Sequence, residues 1–333
     1  MTTTPSGGVF TISLDFELFW GMADIQPLDR AYRDQLLRTR DHIVPALLDR
    51  FEERRIHATW ATVGLLMFES RDQLEAGRPL VEPAYADPSL SAYRHLDHIG
   101  PTEAADPYHL APSIIGQIRA TPGQEVGCHS FSHYYCLEDG ADDVSFAADL
   151  DAWRRAAAGH GLTATSICFG RNQYAAAFID RAAEAGFACY RGTEPAWFNR
   201  PRARRDDRLV RRLVRYADTY LPLTRHHCPG PDEIVASTPA NVASSRFLRA
   251  HNRRLRRLEP LKLRRVLAGL EHAARTGTVY HLWWHPQDLA VDTGPNLDML
   301  DRILERFDDL RHERDMRSMN MGEVVAWARS RSA

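Results

Sequence analysis

Val9-Phe-Thr-Ile-Ser-Leu-Asp-Phe-Glu17 is the stretch on which the fold turns. Residues 9–14 form a short apolar and β-branched run, the pattern of a buried strand, and the run stops at an acid, Asp15. Working outward, apolar positions over 31–54 (Leu36, Leu37, Ile43, Leu47, Leu48 and Phe51) have the spacing of a helix packed by one face. Residues 57–63 predict a second strand, and 124–128 a third that runs straight into His129. The alternation continues with a helix over 144–158, extended chain at 166–170, a helix over 175–185 and extended chain at 188–190. After a helix over 261–275, the run Val279-Tyr-His-Leu-Trp-Trp284 reads as a strong strand, with helices over 296–307 and 321–328 beyond it.

Strands alternating with helices imply a mainly parallel sheet with helices outside it. Asp15, His129, Arg171 and His285 all fall where predicted strands end. In a parallel barrel those ends gather on one face, where active sites lie. The expected fold is therefore α/β, a distorted (β/α) barrel in a single catalytic domain spanning 1–333. Two segments interrupt the pattern: a long loop over 79–112 rich in Pro, Asp and Tyr, and an Arg-rich helical excursion over 196–260.

The bulk properties are those of a globular chain. Of its 333 residues 44% are hydrophobic and 26% charged, and the formal net charge of −2 sets up no global attraction to nucleic acid. Five scattered cysteines without a CxxC pair argue against a disulfide framework. No apolar run approaches the ~18 residues of a spanning helix, and the first eight residues lack the basic and apolar regions of a secretory signal. These features lead to the expectation of a cytoplasmic protein.

The chemistry concentrates in a few places. His129-Ser-Phe-Ser-His133 sets two imidazoles four residues apart, a spacing that lets both share one face of a helical turn and hold one ion. Alone this pattern is weak. Its position after a strand strengthens it, as do Ser130 and Ser132, which could hydrogen-bond around the ligands. A hydrolytic metal needs a third protein ligand, usually a carboxylate, and an open position for water. Asp15 and Glu17, two apart in extended chain, point to the same side, so one could bind the ion while the other takes a proton. His285, in His281-Leu-Trp-Trp-His-Pro286, is the candidate general acid, and His281 is its rival on the same strand face. Arg171 follows another strand and could hold a catalytic carboxylate ionised. Trp20 and Trp284 are the candidate substrate-binding aromatics.

LDFE at 14–17, HSFSH at 129–133, FGRNQ at 169–173 and LWWH at 282–285 occur in that order. This series, spanning roughly 9–310, resembles the polysaccharide deacetylases (NodB homology), or carbohydrate esterase family four. The resemblance implies a barrel of seven strands and a metal-dependent hydrolase that removes an acetyl group, chiefly N-acetyl, from a sugar. It implies one divalent ion, zinc first and cobalt, nickel or iron as alternatives. It makes Glu17, His129 and His133 the metal ligands, Asp15 the general base, Arg171 the residue that orients Asp15, and His285 the general acid. Two departures stand out: a Phe separates the two acids, and the second is Glu. The segment Tyr190–Trp197 also lacks the family's Asp motif, which leaves open what orients His285; Asp218 and Glu194 are the candidates.

Residues 200–215 and 246–265 concentrate arginine. Solvated helix faces are the plain explanation. The sharper expectation is contact with phosphate or with an anionic membrane at its inner face, with a nucleotide- or lipid-linked sugar of surface-polysaccharide metabolism as substrate. No nucleic-acid platform is present. Two alternatives remain: an amide hydrolase acting on a non-sugar, and an inactive glycan- or lipid-binding protein on the same fold. The acetylated sugar, the native metal, the oligomeric state and the role of His109 are not fixed by the sequence.

Overall fold

The computed structural model describes residues 7–332; the reading of residues 1–6 as no secretory signal lies outside them. Among the described residues nine strands are present: β1 (Val9–Phe16), β2 (Ala58–Thr62), β3 (Gln124–Cys128), β4 (Ser166–Ile167), β5 (Cys189–Tyr190), β6 (Ala240–Asn241), β7 (Arg246–Phe247), β8 (Val279–Trp284) and β9 (Arg317–Ser318). Every pairing between them is parallel. The sheet runs β6-β5-β4-β3-β2-β1-β8-β7, with β9 on the end of β1.

β1 is the axis of the fold and is buried along its whole length. Its even positions, Phe10, Ile12, Leu14 and Phe16, join the main core under the helices; the Phe10 ring lies 5.2 Å from Phe307 and the Phe16 ring 6.3 Å from Trp60. Its odd positions Thr11, Ser13 and Asp15 face the other way, into the barrel. Such a two-sided strand is what helices on the outside of a parallel sheet require. The strand extends through Phe16, so Asp15 sits on its last inward step rather than past its end.

The strand count departs from seven in an instructive way. β6 and β7, the two ends of the sheet, are only a few residues apart in sequence. The amides of Ala240, Val242 and Ser244 donate to β5 and its extension at Ala188, Tyr190 and Gly192. Those of Ser245 and Leu248 donate to His281 and Trp283 on β8. One bent segment thus serves both edges and closes a distorted barrel, so the seven expected positions and the strands observed describe the same ring. This closing segment lies inside the 196–260 stretch expected to be an excursion. Its two-residue pairings are too short to leave a periodic signature. The long helix predicted over 31–54 is also interrupted, by a π turn at Thr39–Ile43 between Arg30–Arg38 and Val44–Glu53. Pro45 there has no amide to donate.

Candidate metal centre

The loop after β3 does not form the helical turn expected for HxxxH. Ser130 and His133 both take positive φ, 58° and 56°. The Phe131 and Ser132 amides donate to the buried Asp149 carboxylate, at 2.6 and 3.0 Å, instead of up the chain. The Ser130 hydroxyl accepts from the Tyr134 amide, and the Ser132 hydroxyl donates to Asp149. The Ser130 hydroxyl also donates to the His129 carbonyl at 2.6 Å, so both serines shape the loop backbone rather than touch a ligand imidazole. Burial pushes the Asp149 carboxyl up to about 6 despite these three donors.

The loop nevertheless brings the two imidazoles onto one carboxylate. Glu17 Oε2 lies 3.3 Å from His129 Nε2 and 3.2 Å from His133 Nε2, and all three side chains are buried. Two ligands of one tetrahedral ion with bonds of ~2.05 Å stand about 3.4 Å apart, so the trio fits a single zinc-like ion. The proton assignments agree. His129 Nδ1 lies 2.8 Å from the Cys168 carbonyl, which makes it the donor and leaves Nε2 a buried lone pair with no hydrogen-bond partner. His133 Nδ1 lies 3.2 Å from the Tyr135 hydroxyl, which in turn donates to Asp24 at 3.3 Å. Such relays hold a ligand histidine in the right tautomer. Burial would raise the Glu17 carboxyl, but His285, His129 and His133 together hold it well below the usual range. Gln287 donates to its other oxygen at 2.9 Å. Gly21 packs flush against the same carboxylate: a Cβ there would fall 1.9 Å from its carbon.

Asp15 belongs to a different arrangement. Arg191, wholly buried, grips it through both oxygens at 2.7 Å and also donates to Ser13 and Asn172. Trp283 covers the guanidinium at 4.1 Å. Burial alone would raise the Asp15 carboxyl; Arg191, with His129 and His285, outweighs it and holds the group below its usual range. This corrects the expectation that Arg171 orients Asp15. Arg171 turns instead to Asp24, at 2.6 Å, and stacks on Tyr135. The two arginines follow neighbouring strands. Arg191 comes directly off β5 with its side chain toward Asp15, whereas Arg171 sits in a left-handed turn, φ 53°, that aims it at Asp24.

His285 Nε2 lies 3.8 Å from both Asp15 Oδ2 and Glu17 Oε1. Its Nδ1 lies 3.1 Å from Asp288, three residues on. Burial opposes its charge, but Glu17, Asp288 and Asp15 raise it to about 10. Asp288 is thus the partner that the sequence left open, and His-Pro-x-Asp at the start of a helix was its local signal. Asp218 is committed elsewhere, to Arg246 and Arg265. Glu194 lines the cavity, its carboxyl raised by burial, without a hydrogen bond to His285. The rival His281 is spent inside the barrel: its nitrogens face Ser13 Oγ at 2.8 Å and the Val242 carbonyl at 3.0 Å, and burial depresses it to about 3. His109 pairs with Asp106 at 2.8 Å behind Phe19 and Trp20, a structural dyad. Trp20 and Trp284 are both buried in the core and off the cavity wall, where Trp283 stands instead. β8 alternates, and the inward faces go to His281 and Trp283.

Asp15, Glu17, His133 and His285 line one cavity of 630 Å³. No protein-family model and no curated protein matches the sequence. Solved structures match the fold. One assigned as a polysaccharide deacetylase from Mycobacterium smegmatis is 13% identical, with a TM-score of 0.58 over 99% of this chain and 94% of that one. Another, assigned as a polysaccharide deacetylase from Pseudomonas aeruginosa PAO1, is 13% identical, with a TM-score of 0.54 over 96% and 90%. The PuuE allantoinase is also 13% identical, with a TM-score of 0.53 over 96% and 88%. The chain has the polysaccharide-deacetylase fold.

Proposed function

We propose that the protein is a metal-dependent hydrolase that removes an acetyl group from the nitrogen of a sugar. The observation that carries this reading is the convergence of Glu17, His129 and His133 on one point, flanked by Asp15 with Arg191 and by His285 with Asp288. A divalent ion held by those three ligands would polarise the acyl carbonyl and acidify water. Arg191 keeps Asp15 ionised, which suits it to take the proton of the attacking water. His285, held protonated by Asp288, stands across the site to protonate the departing nitrogen. Its Nε2 is the only ring nitrogen free to do so, because Nδ1 faces Asp288. Acetate and a free amino sugar leave.

The test is acetate release from N-acetylated amino sugars by chelator-treated protein, before and after addition of zinc or cobalt. Metal-restored release supports the reading; a protein that takes up no divalent ion sinks it. The shared fold with an allantoinase supplies the control. Ring opening of a cyclic ureide without acetate release would favour the non-sugar amidohydrolase.

A further inference from the structure

Eight arginines line the catalytic cavity, and they divide into two groups. Arg171 and Arg204 pair with Asp24, Arg215 with Asp207 and Arg246 with Asp218. Among the described residues Arg200, Arg202, Arg212 and Arg249 have no carboxylate within ion-pair distance. Arg249 is the most telling. Its one side-chain hydrogen bond goes to Thr219 Oγ1 at 3.0 Å, and its guanidinium lies against the Tyr216 and Phe247 rings. Phe247 in turn packs 5.5 Å from His285. Burial and the neighbouring Arg215 both weigh against the Arg249 cation, and burial and Arg211 against Arg202. Cations crowded into a cavity without counter-charges favour an anion that brings several acceptor oxygens, and guanidinium forks match phosphate geometry.

We propose that this arginine wall binds the phosphate or diphosphate of a phosphate-linked sugar, whose N-acetyl group then reaches the metal centre. The proposal rests on the hydrolase reading above and names its substrate class. A neutral glycan would leave Arg249 desolvated and unpaired, at a cost. The cavity's 630 Å³ is in the range of sites for small ligands, ~300–1,000 Å³.

Calorimetry on chelator-treated protein separates this idea from the catalytic one, since no metal or turnover is needed. Inorganic pyrophosphate should bind saturably at low salt. Arg212→Gln, an exposed position that should fold normally, and Arg249→Gln should each weaken it about tenfold. The exposed Arg302→Gln should not. Wild-type binding by both cavity variants, or no saturable binding, overturns the proposal. So does binding that survives both but is lost in His129→Ala, which would place the anion at the metal ligands. A nucleoside diphosphate N-acetyl sugar and a polyprenyl diphosphate sugar in vesicles, compared as substrates, tell the two sources of the phosphate apart.

An independent observation bears on how the substrate arrives. In the helix Leu209–Tyr220, Arg212, Arg215 and Thr219 face the cavity. Leu209, Val210 and Leu213 lie on the opposite side, 66%, 64% and 59% exposed, with Leu221 and Leu223 exposed just beyond. A helix of a soluble protein normally turns such a stripe inward. The arginine-rich turn 253–257 is fastened alongside, through Asn252 donating to Tyr216 and Tyr220 donating to Glu259. An apolar stripe rimmed by arginine complements an anionic bilayer. We infer that this face seats on an anionic membrane surface. Co-sedimentation with phosphatidylglycerol-rich vesicles should capture the protein where pure phosphatidylcholine does not. The double change Leu209→Ser, Leu213→Ser should abolish capture while leaving metal uptake intact. Equal recovery with both vesicle types, or a solution dimer dissolved by the same double change, overturns it.

Discussion

At the barrel mouth each buried charge has a counter-charge: Asp15 has Arg191, Glu17 has the histidines, His285 has Asp288 and Asp24 has Arg171. The arm over 196–260 is built the other way. It holds 15 arginines against six acidic residues in a chain whose net charge is −2. Its acids Asp207, Asp218 and Glu259 are used to pin Arg215, Arg246, Arg265 and Lys262. Arg204, Arg205 and Arg253 reach acids outside the arm, Asp24, Asp139 and Asp292, and among the described residues its other arginines have no carboxylate within ion-pair distance. The mouth is matched within itself apart from His129 Nε2, which has no hydrogen-bond partner and faces Glu17. The arm is matched only in part, and its unpaired arginines include the ones the proposed phosphate site would use.

Breaking the match at the mouth should have the largest effects. Glu17→Gln removes the anionic ligand, and metal content measured by plasma emission should fall with kcat, the latter by about 10³-fold or more. Arg191→Gln should do two kinds of damage. It strands Asp15, which should cost about 3–5 kcal/mol in a urea titration, and it should cut turnover by about 10²-fold. The paired variant Arg171→Gln sharpens the point: it should retain activity to within about tenfold, because it acts on His133 only through Asp24 and Tyr135. If the two variants prove equal, the assignment of Arg191 to Asp15 is wrong.

Asp149→Ala tests the loop beneath the ligands. It leaves two buried amides unpaired, so a loss of at least about 2 kcal/mol in thermal or urea unfolding is expected, along with weaker metal binding. Asp288→Asn should lower kcat about tenfold with KM nearly unchanged, as expected when a proton donor is misoriented while the substrate binds as before.

The smallest effect lies far from the site. His57 and Glu323 tie the start of β2 to the C-terminal helix at 2.8 Å, with both side chains well exposed. The glutamate raises His57, and His57 with the Asn320 amide lowers Glu323 against the effect of burial. The raised histidine contributes stability below its unfolded value near 6.5, and that contribution is lost as pH rises through the folded value. The lowered carboxylate contributes above about 4.5, and that is lost as pH falls. Glu323→Gln should therefore cost about 0.2–1 kcal/mol near pH 5.5 and almost nothing at pH 9.

Much of the mouth was legible because metal chemistry is carried by residue type and by position at strand ends. Asp15, Glu17, His129, His133 and His285 could be picked out in that way, and the structure brings them together. Asp288 was legible in principle, since it lies three residues from His285. Arg191 was not. It reaches Asp15 from 176 residues away across the barrel, and nothing local distinguishes it from Arg171, which has the same residue type at the end of the preceding strand. The closing segment at 240–248 was hidden for a related reason: a strand whose two halves pair with different neighbours shows no long period of its own.

The sequence by itself determined the alternation of strand and helix, the polar residues at the strand ends and the types of ligand available, because these depend on spacing along the chain. Only the tertiary structure decided which arginine neutralises Asp15, that His281 is spent on Ser13 and the Val242 carbonyl, and which arginines of the arm remain without a counter-ion. Charge pairing acts through space, and the closure of the barrel sets which groups meet.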